Sequence, residues 1–374
     1  METILLISPY WKEEHRWMVS SVKLAELWQR LGYRVVVACM GSQTGAETVS
    51  PTLTIYRRRD VFLPDPWNYG IAFGFTGLVR RIIKIEKPDL IVVNKLLFWT
   101  SLSAIALKLS GRRVIVLTDA LVGMTWWPRG WFPKVCAAIY AWTLGWFVLL
   151  SAWRVVTYHP QPPHLLKRLG IAGKTQVIPT GIDAEAFQAS VRKTDLDTMT
   201  VTYIGRLESV KGVDDFLAAA AEVKMKYAPG LNVQVVGWYK PDHPLVAEYR
   251  DRVTFTGLKQ DVKPILQSTD IFVLPSYSEG LSNALMEAMA NGCTCIATEV
   301  GGNRFLIQNG VTGFLYPPGD RAALASHIRR LIEDMAKRRT MGEAARKRIE
   351  EQFSWKVIGQ KYLDLFQIAH HEHA

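Results

Sequence analysis

The chain has 374 residues, which is long enough for two domains that each bury a sizeable core. Its formal net charge is +11. Residues 1–178 contain 22 Lys and Arg against 10 Asp and Glu, so the whole excess of positive charge lies in the first half of the chain. The same half contains 11 of the 13 tryptophans. This asymmetry predicts an anionic partner for the first half, either a membrane surface or a nucleic acid. The four cysteines lack zinc-ligand spacing, which excludes a zinc site and predicts reduced thiols in a cytosolic protein.

Strands and helices alternate along the first half. The start, "METILLISPY", predicts a strand and not a signal peptide, because it has neither a charged leader nor a cleavage site. An amphipathic stretch, "VSSVKLAELWQRLG", follows. The strand-like runs "RVVVACM", "DLIVVN", "RVIVLTD" and "RVVTYH" come next, separated by helical stretches such as "TSLSAIALKLSG". This alternation predicts parallel βα units.

A long apolar run interrupts this pattern. From Val135 to Trp153 there is no charged residue, and Lys134 and Arg154 flank the run. Its length is compatible with a membrane-spanning helix, but the strand-like "RVVTYH" that follows has to return to the first sheet. The other interpretations are a helix buried between that sheet and the second domain, and a helix whose outer face enters the membrane interface.

The second half repeats the alternation with the strand-like runs "VTYIG", "NVQVVG", "VTFTG", "IFVLP" and "TCIAT" and the helical runs "DDFLAAAAEVKMKY" and "RAALASHIRRLIEDM". The turn-rich segment "VIPTGIDAEAFQASVRKTDLDT" lies between the halves, and we place the domain boundary after Ile178. The sequence therefore predicts an α/β protein in which two doubly wound domains, 1–178 and 179–354, face each other across a cleft.

Two loops of the second half suit a nucleoside diphosphate. "YIGRLESVKG" supplies Gly205, Arg206 and Lys211 after a strand, and two cations so placed can straddle a diphosphate. "PSYSEGLSNALMEAMANG" sets Glu279 in a strand-to-helix turn and Glu287 inside the following helix. Because both strands end at one edge of a parallel sheet, these groups should converge there. Taken singly, the same residues are also compatible with solvated charges and a helix-dipole interaction.

Several spaced motifs resemble the retaining glycosyltransferases of family 4, which have the GT-B fold of two Rossmann-like domains. "IGRLESVKG" is similar to the family's G-R-L-x-x-x-K-G, and "STDIFVLPSYSEGLSNALMEAMANG" is similar to its A-D-x-x-x-x-P-S-x-x-E-G stretch with two glutamates eight apart. "VIPTGID", "ATEVGGN" and "NGVTGFLYPPGD" match further landmarks. "FSWKVIGQKYLDLF" resembles the terminal helix that crosses back to the first domain, here 355–374. The resemblance implies an acceptor-binding first domain and a nucleotide-sugar-binding second domain.

The resemblance also implies roles for single residues. Glu279 would hold the donor sugar and Glu287 the ribose, while Arg206 and Lys211 would stabilise charge on the departing diphosphate without a metal. No cofactor is implied besides the donor, and the leaving phosphate would help to take the acceptor proton during same-face attack. The implied donor-binding residues are Gly205, Arg206, Lys211, Glu279, Gly280, Leu281, Ser282 and Glu287.

Three positions depart from the family pattern. The usual Gly-Gly loop after the first strand is replaced by "PYWKEEHRWM", where His15 or Arg16 is the candidate for phosphate contacts. A usual His is replaced by Asp119, which is either a catalytic residue that contacts the acceptor hydroxyl or donor sugar, or a helix cap. A Glu that is common in the loop after "ATEV" is replaced by Arg304 or Phe305.

These observations predict a metal-independent hexosyltransferase that moves a sugar from a UDP- or GDP-sugar to a lipid or lipid-linked glycan, on the inner face of the cytoplasmic membrane. The alternatives are the same chemistry on a soluble acceptor and a non-catalytic binding module with this fold. Nucleic acid is not a predicted partner, because the sequence has no recognition helix or aromatic RNA-binding motif. The candidate membrane contacts are three basic clusters and three tryptophans: 57–59, 80–81, 112–113, Trp126, Trp127 and Trp131.

Overall fold

A computed structural model of the chain describes residues 1–12, 19–63, 69–125, 127, 131–187, 199–240 and 242–371. The chain forms two compact units, one of Met1–Thr180 with Lys356–Ala374 and one of Gly181–Trp355. The four cysteines all lie within the described residues and form no disulfide, and Cys39, Cys293 and Cys295 are buried.

The described part of the first unit contains ten strands. They are β1 (Thr3–Ile7), β2 (Arg34–Gly41), β3 (Gly45–Ser50), β4 (Leu53–Arg59), β5 (Val61–Leu63), β6 (Tyr69–Ile71), β7 (Leu90–Asn94), β8 (Ile115–Thr118), β9 (Arg154–Thr157) and β10 (Thr175–Val177). Eight of them form one sheet in the order β10-β9-β8-β7-β1-β2-β4-β3, and β5 pairs with β6 in a separate hairpin. The large sheet is parallel except for the antiparallel pair of β3 and β4. The order reverses between β1 and β7, so that point is the expected ligand-binding edge of this sheet.

Six described helices connect these strands, and a further helix returns from the end of the chain. The six are α1 (Val19–Arg30), α2 (Phe75–Glu86), α3 (Ser103–Leu109), α4 (Trp131–Ala141), α5 (Leu144–Ser151) and α6 (Pro163–Arg168). The last helix of the chain, Trp355–His371, holds the aromatic rings of Tyr362 and Phe366 against the fully buried Trp28 of α1, with ring centroids 5.6 Å and 5.8 Å apart. Burial of these three rings explains why the terminal helix belongs to the first unit.

The apolar run of the first half is two helices, α4 and α5, and not one. Within the described residues, Trp131–Ser151 is the one stretch long and apolar enough to cross a membrane by length and composition, with a hydropathy of 1.5. Of the 18 consecutive residues in this stretch that are the most apolar, only 28 % are buried. This exposure does not support the interpretation of a buried helix.

The second unit is built on a six-stranded, wholly parallel sheet. Its strands are β11 (Thr200–Ile204), β12 (Asn232–Val236), β13 (Thr254–Phe255), β14 (Ile271–Leu274), β15 (Thr294–Thr298) and β16 (Phe314–Tyr316). The order is β13-β12-β11-β14-β15-β16, so the chain switches direction between β11 and β14. Every residue of β14 is buried, as expected for an apolar strand with helices on both faces of its sheet.

Eight more helices lie in the described part of the second half, and the last of them is the terminal helix mentioned above. They are α7 (Val213–Lys226), α8 (Pro244–Tyr249), α9 (Lys263–Gln267), α10 (Asn283–Ala290), α11 (Asn303–Leu306), α12 (Arg321–Glu333), α13 (Met335–Gln352) and α14 (Trp355–His371). The helix α10 starts directly after the loop that follows β14, as the sequence predicts.

Candidate active site

The carboxylate of Glu279 is held by two side chains at the switch point of the second sheet. Lys211 Nζ lies 2.8 Å from Glu279 Oε1, and Ser276 Oγ donates to the same oxygen at 2.6 Å. The Glu279 side chain is only 9 % exposed. Lys211 comes from the loop after β11, and Glu279 and Ser276 come from the loop after β14. The predicted convergence of a cation and an acid at this edge is therefore present.

The second glutamate lies where the helical pattern placed it. Glu287 is a half-buried residue of α10, and Glu279 lies in the turn that precedes this helix. Ser282 caps α10 by accepting a hydrogen bond from the Leu285 N–H at 3.3 Å. The N-terminus of α10 is thus presented next to the Lys211–Glu279 ion pair.

Two glycines from other loops support this turn by direct backbone contact. Gly301 has a φ of 47°, and a Cβ there would overlap the carbonyl oxygen of Glu279. Gly212 has a φ of 63°, and a Cβ there would overlap the carbonyl oxygen of Pro275. Neither loop can come this close to the chain if its glycine carries a side chain.

We expect Gly301→Ala to lower both the melting temperature and the turnover, because the new methyl group must push away the backbone of Glu279. Gly310→Ala is the matched control: Gly310 has a φ of 79°, but a Cβ at this position would meet no atom within 4 Å. The control isolates the backbone strain, which costs about 1 kcal/mol or somewhat more. Differential scanning fluorimetry and a turnover assay compare the two variants, and equal losses would argue against the contact.

Arg206 lies at the rim of the same edge. Its guanidinium Nη1 pairs with Glu208 Oε1 at 2.8 Å, and its side chain is 58 % exposed. The hydroxyl of the fully buried Tyr203 donates to the Arg206 carbonyl at 2.9 Å, which fixes the loop after β11. Burial raises the pKa of Tyr203 well above its ordinary value, so this hydroxyl stays a donor. The structure thus brings Lys211, but not the Arg206 side chain, into an ion pair with Glu279.

A second polar cluster, which sequence reasoning missed, ties the two loops together. Tyr277 donates its hydroxyl to Asp215 Oδ2 at 2.7 Å, and Arg321 Nε lies 2.5 Å from Asp215 Oδ1. Tyr277 also donates its backbone N–H to the Val210 carbonyl at 2.8 Å. Tyr277 and Ser276 belong to a motif that the sequence reveals, whereas Arg321 lies too far along the chain to be associated with Asp215 before folding.

Asp119 forms an ion pair in the first unit. Its Oδ2 lies 2.6 Å from Lys95 Nζ, and the two side chains are 33 % and 16 % exposed. Burial by itself raises the pKa of Asp119, but the charge and hydrogen bond of Lys95 outweigh it, so this pKa is lowered. The next helix described after Asp119 is α4, which starts at Trp131, so the interpretation of Asp119 as a helix cap is wrong.

Lys95 was not predicted, and its backbone is unusual. It has a φ of 75°, a left-handed conformation that is strained for a lysine. The preceding Asn94 is fully buried and is fixed by Tyr158 and Ser21, which lie 2.7 Å from its Oδ1 and Nδ2. Ser21 is in turn 2.7 Å from Ser8, which follows β1. This buried polar chain crosses the switch point of the first sheet and holds the strand end from which Lys95 reaches Asp119.

The buried His159 should make stability depend on pH. Burial lowers its pKa below the ordinary value of about 6.5. As the pH falls below about 6.5, His159 therefore takes up a proton in the unfolded chain before it does so in the folded chain. The free energy of unfolding should decrease over this pH range. His159→Asn should flatten the decrease, and the exposed His164→Asn should not. Chemical denaturation at a series of pH values tests this, and identical profiles for all three proteins would contradict it.

Two family models match this chain. The one described as Glycosyltransferase Family 4 matches residues 19–186, and the one described as Glycosyl transferases group 1 matches residues 198–334. The chain belongs to glycosyltransferase family 4.

Known relatives of this family 4 glycosyltransferase include the UDP-Gal:alpha-D-GlcNAc-diphosphoundecaprenol alpha-1,3-galactosyltransferase of Escherichia coli. The two are 27 % identical over 272 residues, which cover 68 % of this chain and 69 % of the relative. The chain spans about half the length of the first curated relatives it matches.

Solved structures similar to this family 4 glycosyltransferase have the GT-B fold, as the motifs predicted. Sucrose-phosphate synthase from Thermosynechococcus elongatus superposes over all of both chains with a TM-score of 0.81 and 24 % identity. HepE from Anabaena, solved with UDP-glucose, superposes with a TM-score of 0.74 and 20 % identity over 98 % of this chain and all of the other. The fold of this glycosyltransferase is therefore GT-B.

The departures of this glycosyltransferase from the family pattern are partly explained by packing. The Phe305 ring lies edge-to-face on Phe353, with centroids 5.3 Å apart, and Arg304 Nη2 lies 3.2 Å from Glu299. This loop therefore contributes an apolar contact through Phe305 and an ion pair through Arg304. His15, Arg16 and the tryptophan at position 126 lie outside the described residues. Among the described residues, no group of three or more His, Cys, Asp or Glu side chains is placed to hold a metal ion.

Proposed function

We propose that this glycosyltransferase transfers a hexose, with retention of anomeric configuration, from a UDP- or GDP-sugar bound by its second unit. The observation that carries the proposal is the Lys211–Glu279 ion pair at the switch point between β11 and β14. Open α/β sheets bind ligands at this edge, and the N-terminus of α10 adds N–H groups that favour anionic oxygens.

The chemistry follows from the charges at this edge. Cleavage of the bond to the sugar builds negative charge on the leaving diphosphate, and Lys211 offers a preorganised ammonium group to stabilise it. The exposed guanidinium of Arg206, at the rim of the same edge, offers a second cation for these oxygens. Glu279, held by Lys211 and Ser276, is fixed to accept hydrogen bonds from sugar hydroxyls, while Glu287 is placed on α10 for the ribose. Because the chain's own cations neutralise the diphosphate, we propose that the reaction needs no metal and no cofactor other than the donor.

A screen of nucleotide sugars tests the donor proposal. We expect one donor both to raise the melting temperature and to be slowly hydrolysed, and a chelator of divalent cations should leave the hydrolysis unchanged. A donor that binds without hydrolysis or transfer to any acceptor would indicate the non-catalytic alternative. If no nucleotide or nucleotide sugar raised the melting temperature, the proposed site would be wrong.

For the acceptor, we propose a lipid or a lipid-linked glycan, reached by peripheral binding to the inner face of the cytoplasmic membrane. Residues 90–182 contain ten Lys or Arg and one Asp or Glu, so they carry a net charge of +9 out of +11 for the whole chain. The acceptor in the name of the E. coli relative is a diphosphoundecaprenol-linked sugar, which supports this class. Transfer assays that compare lipid-linked saccharides in vesicles with the same saccharides free in solution test it, and preference for the free saccharide would favour the soluble-acceptor alternative.

A further inference from the structure

The helices α4 and α5 present an apolar face to solvent. On α4 and just beyond it, Trp131, Val135, Ile139 and Trp142 follow the i, i+4, i+8, i+11 spacing that places side chains on one side of a helix, and all four are exposed. Phe147 and Leu150 of α5 are also exposed, while its Val148 and Leu149 are buried in the core of the first unit. We call the six exposed residues the α4–α5 face. Several exposed apolar side chains on one helix face are typical of a binding surface.

The chain segment that contains this face carries an excess of positive charge. Between residues 120 and 182 there is no Asp or Glu, and the one carboxylate in residues 90–182, Asp119, is paired with Lys95. Lys134 is exposed on α4, and the Arg168 guanidinium lies over the Trp142 ring, 4.7 Å from its centroid. A cationic rim around an apolar face that carries tryptophans complements the anionic headgroups and the acyl boundary of a bilayer. A second protein copy would bring another cationic rim against this one.

Neither helix of this segment is long enough by itself to cross a bilayer. The helix α4 contains 11 residues and α5 contains 8 residues. At a rise of 1.5 Å per residue they are about 16 Å and 12 Å long. A hydrocarbon core is about 30 Å thick. The strands β8 and β9, on either side of the segment, are parallel neighbours that pair Ile115 with Arg154 and Thr118 with Thr157. The chain therefore leaves one sheet and rejoins the same sheet, which does not fit a segment that crosses a bilayer.

We propose that the α4–α5 face inserts into the interface of an anionic lipid bilayer, with Trp131 and Trp142 at the headgroup level and the surrounding cations on the lipid phosphates. This inference names the surface for the membrane binding proposed above, and it rests on that part of the proposed function. It assigns the apolar contact with the membrane to α4 and α5. The basic clusters at 57–59, 80–81 and 112–113 then contribute less to membrane binding. In β4, for example, Arg57 is already paired with Glu47 at 2.7 Å, and Arg58 donates to the Phe73 carbonyl.

Flotation of the full-length protein with vesicles tests the inference. We expect binding to phosphatidylcholine vesicles that contain phosphatidylglycerol, weakened but not abolished by high salt, because salt screens the cations and not the apolar contact. Ile139→Ser with Phe147→Ser should weaken binding at high salt by about tenfold or more, since each removes a large apolar side chain from the lipid. Lys134→Glu with Arg168→Glu should weaken binding at low salt. The matched control is Leu258→Ser with Met225→Ser. Both are apolar residues of the second unit that are more exposed than Ile139 and Phe147, and this variant should bind vesicles like the unsubstituted protein.

Three results would overturn the inference. The first is that the unsubstituted protein does not bind vesicles. The second is that the variant Ile139→Ser with Phe147→Ser binds as well as the control variant. The third is that Ile139→Ser with Phe147→Ser changes only the oligomeric state, measured by sedimentation velocity. The last result would show that a second copy of the chain covers the face. Melting temperatures with and without the nucleotide sugar keep this test separate from the donor proposal. Donor binding without vesicle binding contradicts the membrane surface alone, and vesicle binding without any donor contradicts the donor site alone.

Discussion

Replacing Lys211 with alanine is expected to lower turnover by about 100-fold or more, comparable with the loss of one donor from an oxyanion site. The ammonium group is 2.8 Å from Glu279 Oε1, at the edge where the diphosphate is proposed to leave. Its removal takes away the cation that stabilises the developing charge. Steady-state kinetics with the donor identified by the screen, together with nucleotide binding by calorimetry, measure the effect.

A loss of stability has to be separated from the loss of catalysis in this variant, because Glu279 would keep a nearly buried charge without its partner. The double variant Lys211→Met with Glu279→Gln removes both charges and should recover the melting temperature but not the turnover. Lys226→Ala is the matched control, since Lys226 also forms a 2.8 Å ion pair with a glutamate, Glu222, but on an exposed helix surface. Turnover of Lys211→Ala close to that of Lys226→Ala would show that Lys211 is not part of the donor site.

Asp119→Asn is expected to lower turnover by about 100-fold or more while nucleotide binding stays unchanged, as for a residue that contacts the reacting hydroxyl or sugar. The substitution keeps the shape of the side chain and removes the charge that faces Lys95 at 2.6 Å. Nucleotide binding should be unaffected because the donor is proposed to bind to the other unit. Turnover and nucleotide affinity, measured on the same preparation, provide the comparison.

An ion pair with a purely structural role would behave differently. Glu86→Gln is the control, because Glu86 forms a pair of the same length, 2.6 Å, with Arg34 in the same unit. It should change the melting temperature without changing turnover. The double variant Asp119→Asn with Lys95→Met should restore the stability lost by the single change, but not the activity. If restoring stability also restored turnover, Asp119 would be a positioning partner of Lys95 and not a catalytic residue.

The elements predicted best are those whose signal lies within a few residues. The run "IFVL" is apolar and suited to a strand buried on both faces, and the run after Ser282 is rich in helix formers, so the positions of Glu279 and Glu287 relative to β14 and α10 follow from local preferences. The strand β3, "GAETVS", was not predicted, because its side chains are mostly exposed and polar and it is stabilised by pairing with β4.

For the apolar run of the first half, amino-acid composition does not determine the environment of the helices. The same uncharged residues suit a buried helix, a spanning helix or an interfacial helix, and nothing within the run distinguishes them. Only the folded chain shows that α4 ends at Ala141, that α5 begins at Leu144 and that one face of each is exposed. Exposure depends on which neighbouring elements cover the helix, and that is decided by the order of the strands.

The sequence by itself determined the class, because hydrophobic periodicity, two strand-to-helix loops and the spacing of Arg206, Lys211, Glu279 and Glu287 are properties of short segments. Only the tertiary structure decided the partners. Lys95 meets Asp119 because their strands, β7 and β8, are neighbours in the sheet, and Lys211 meets Glu279 because β11 and β14 are neighbours at the point where the strand order reverses. Such pairings join residues far apart in the chain. They form when burial of the whole sheet repays the entropy of closing the loops between its strands, so no short segment encodes them.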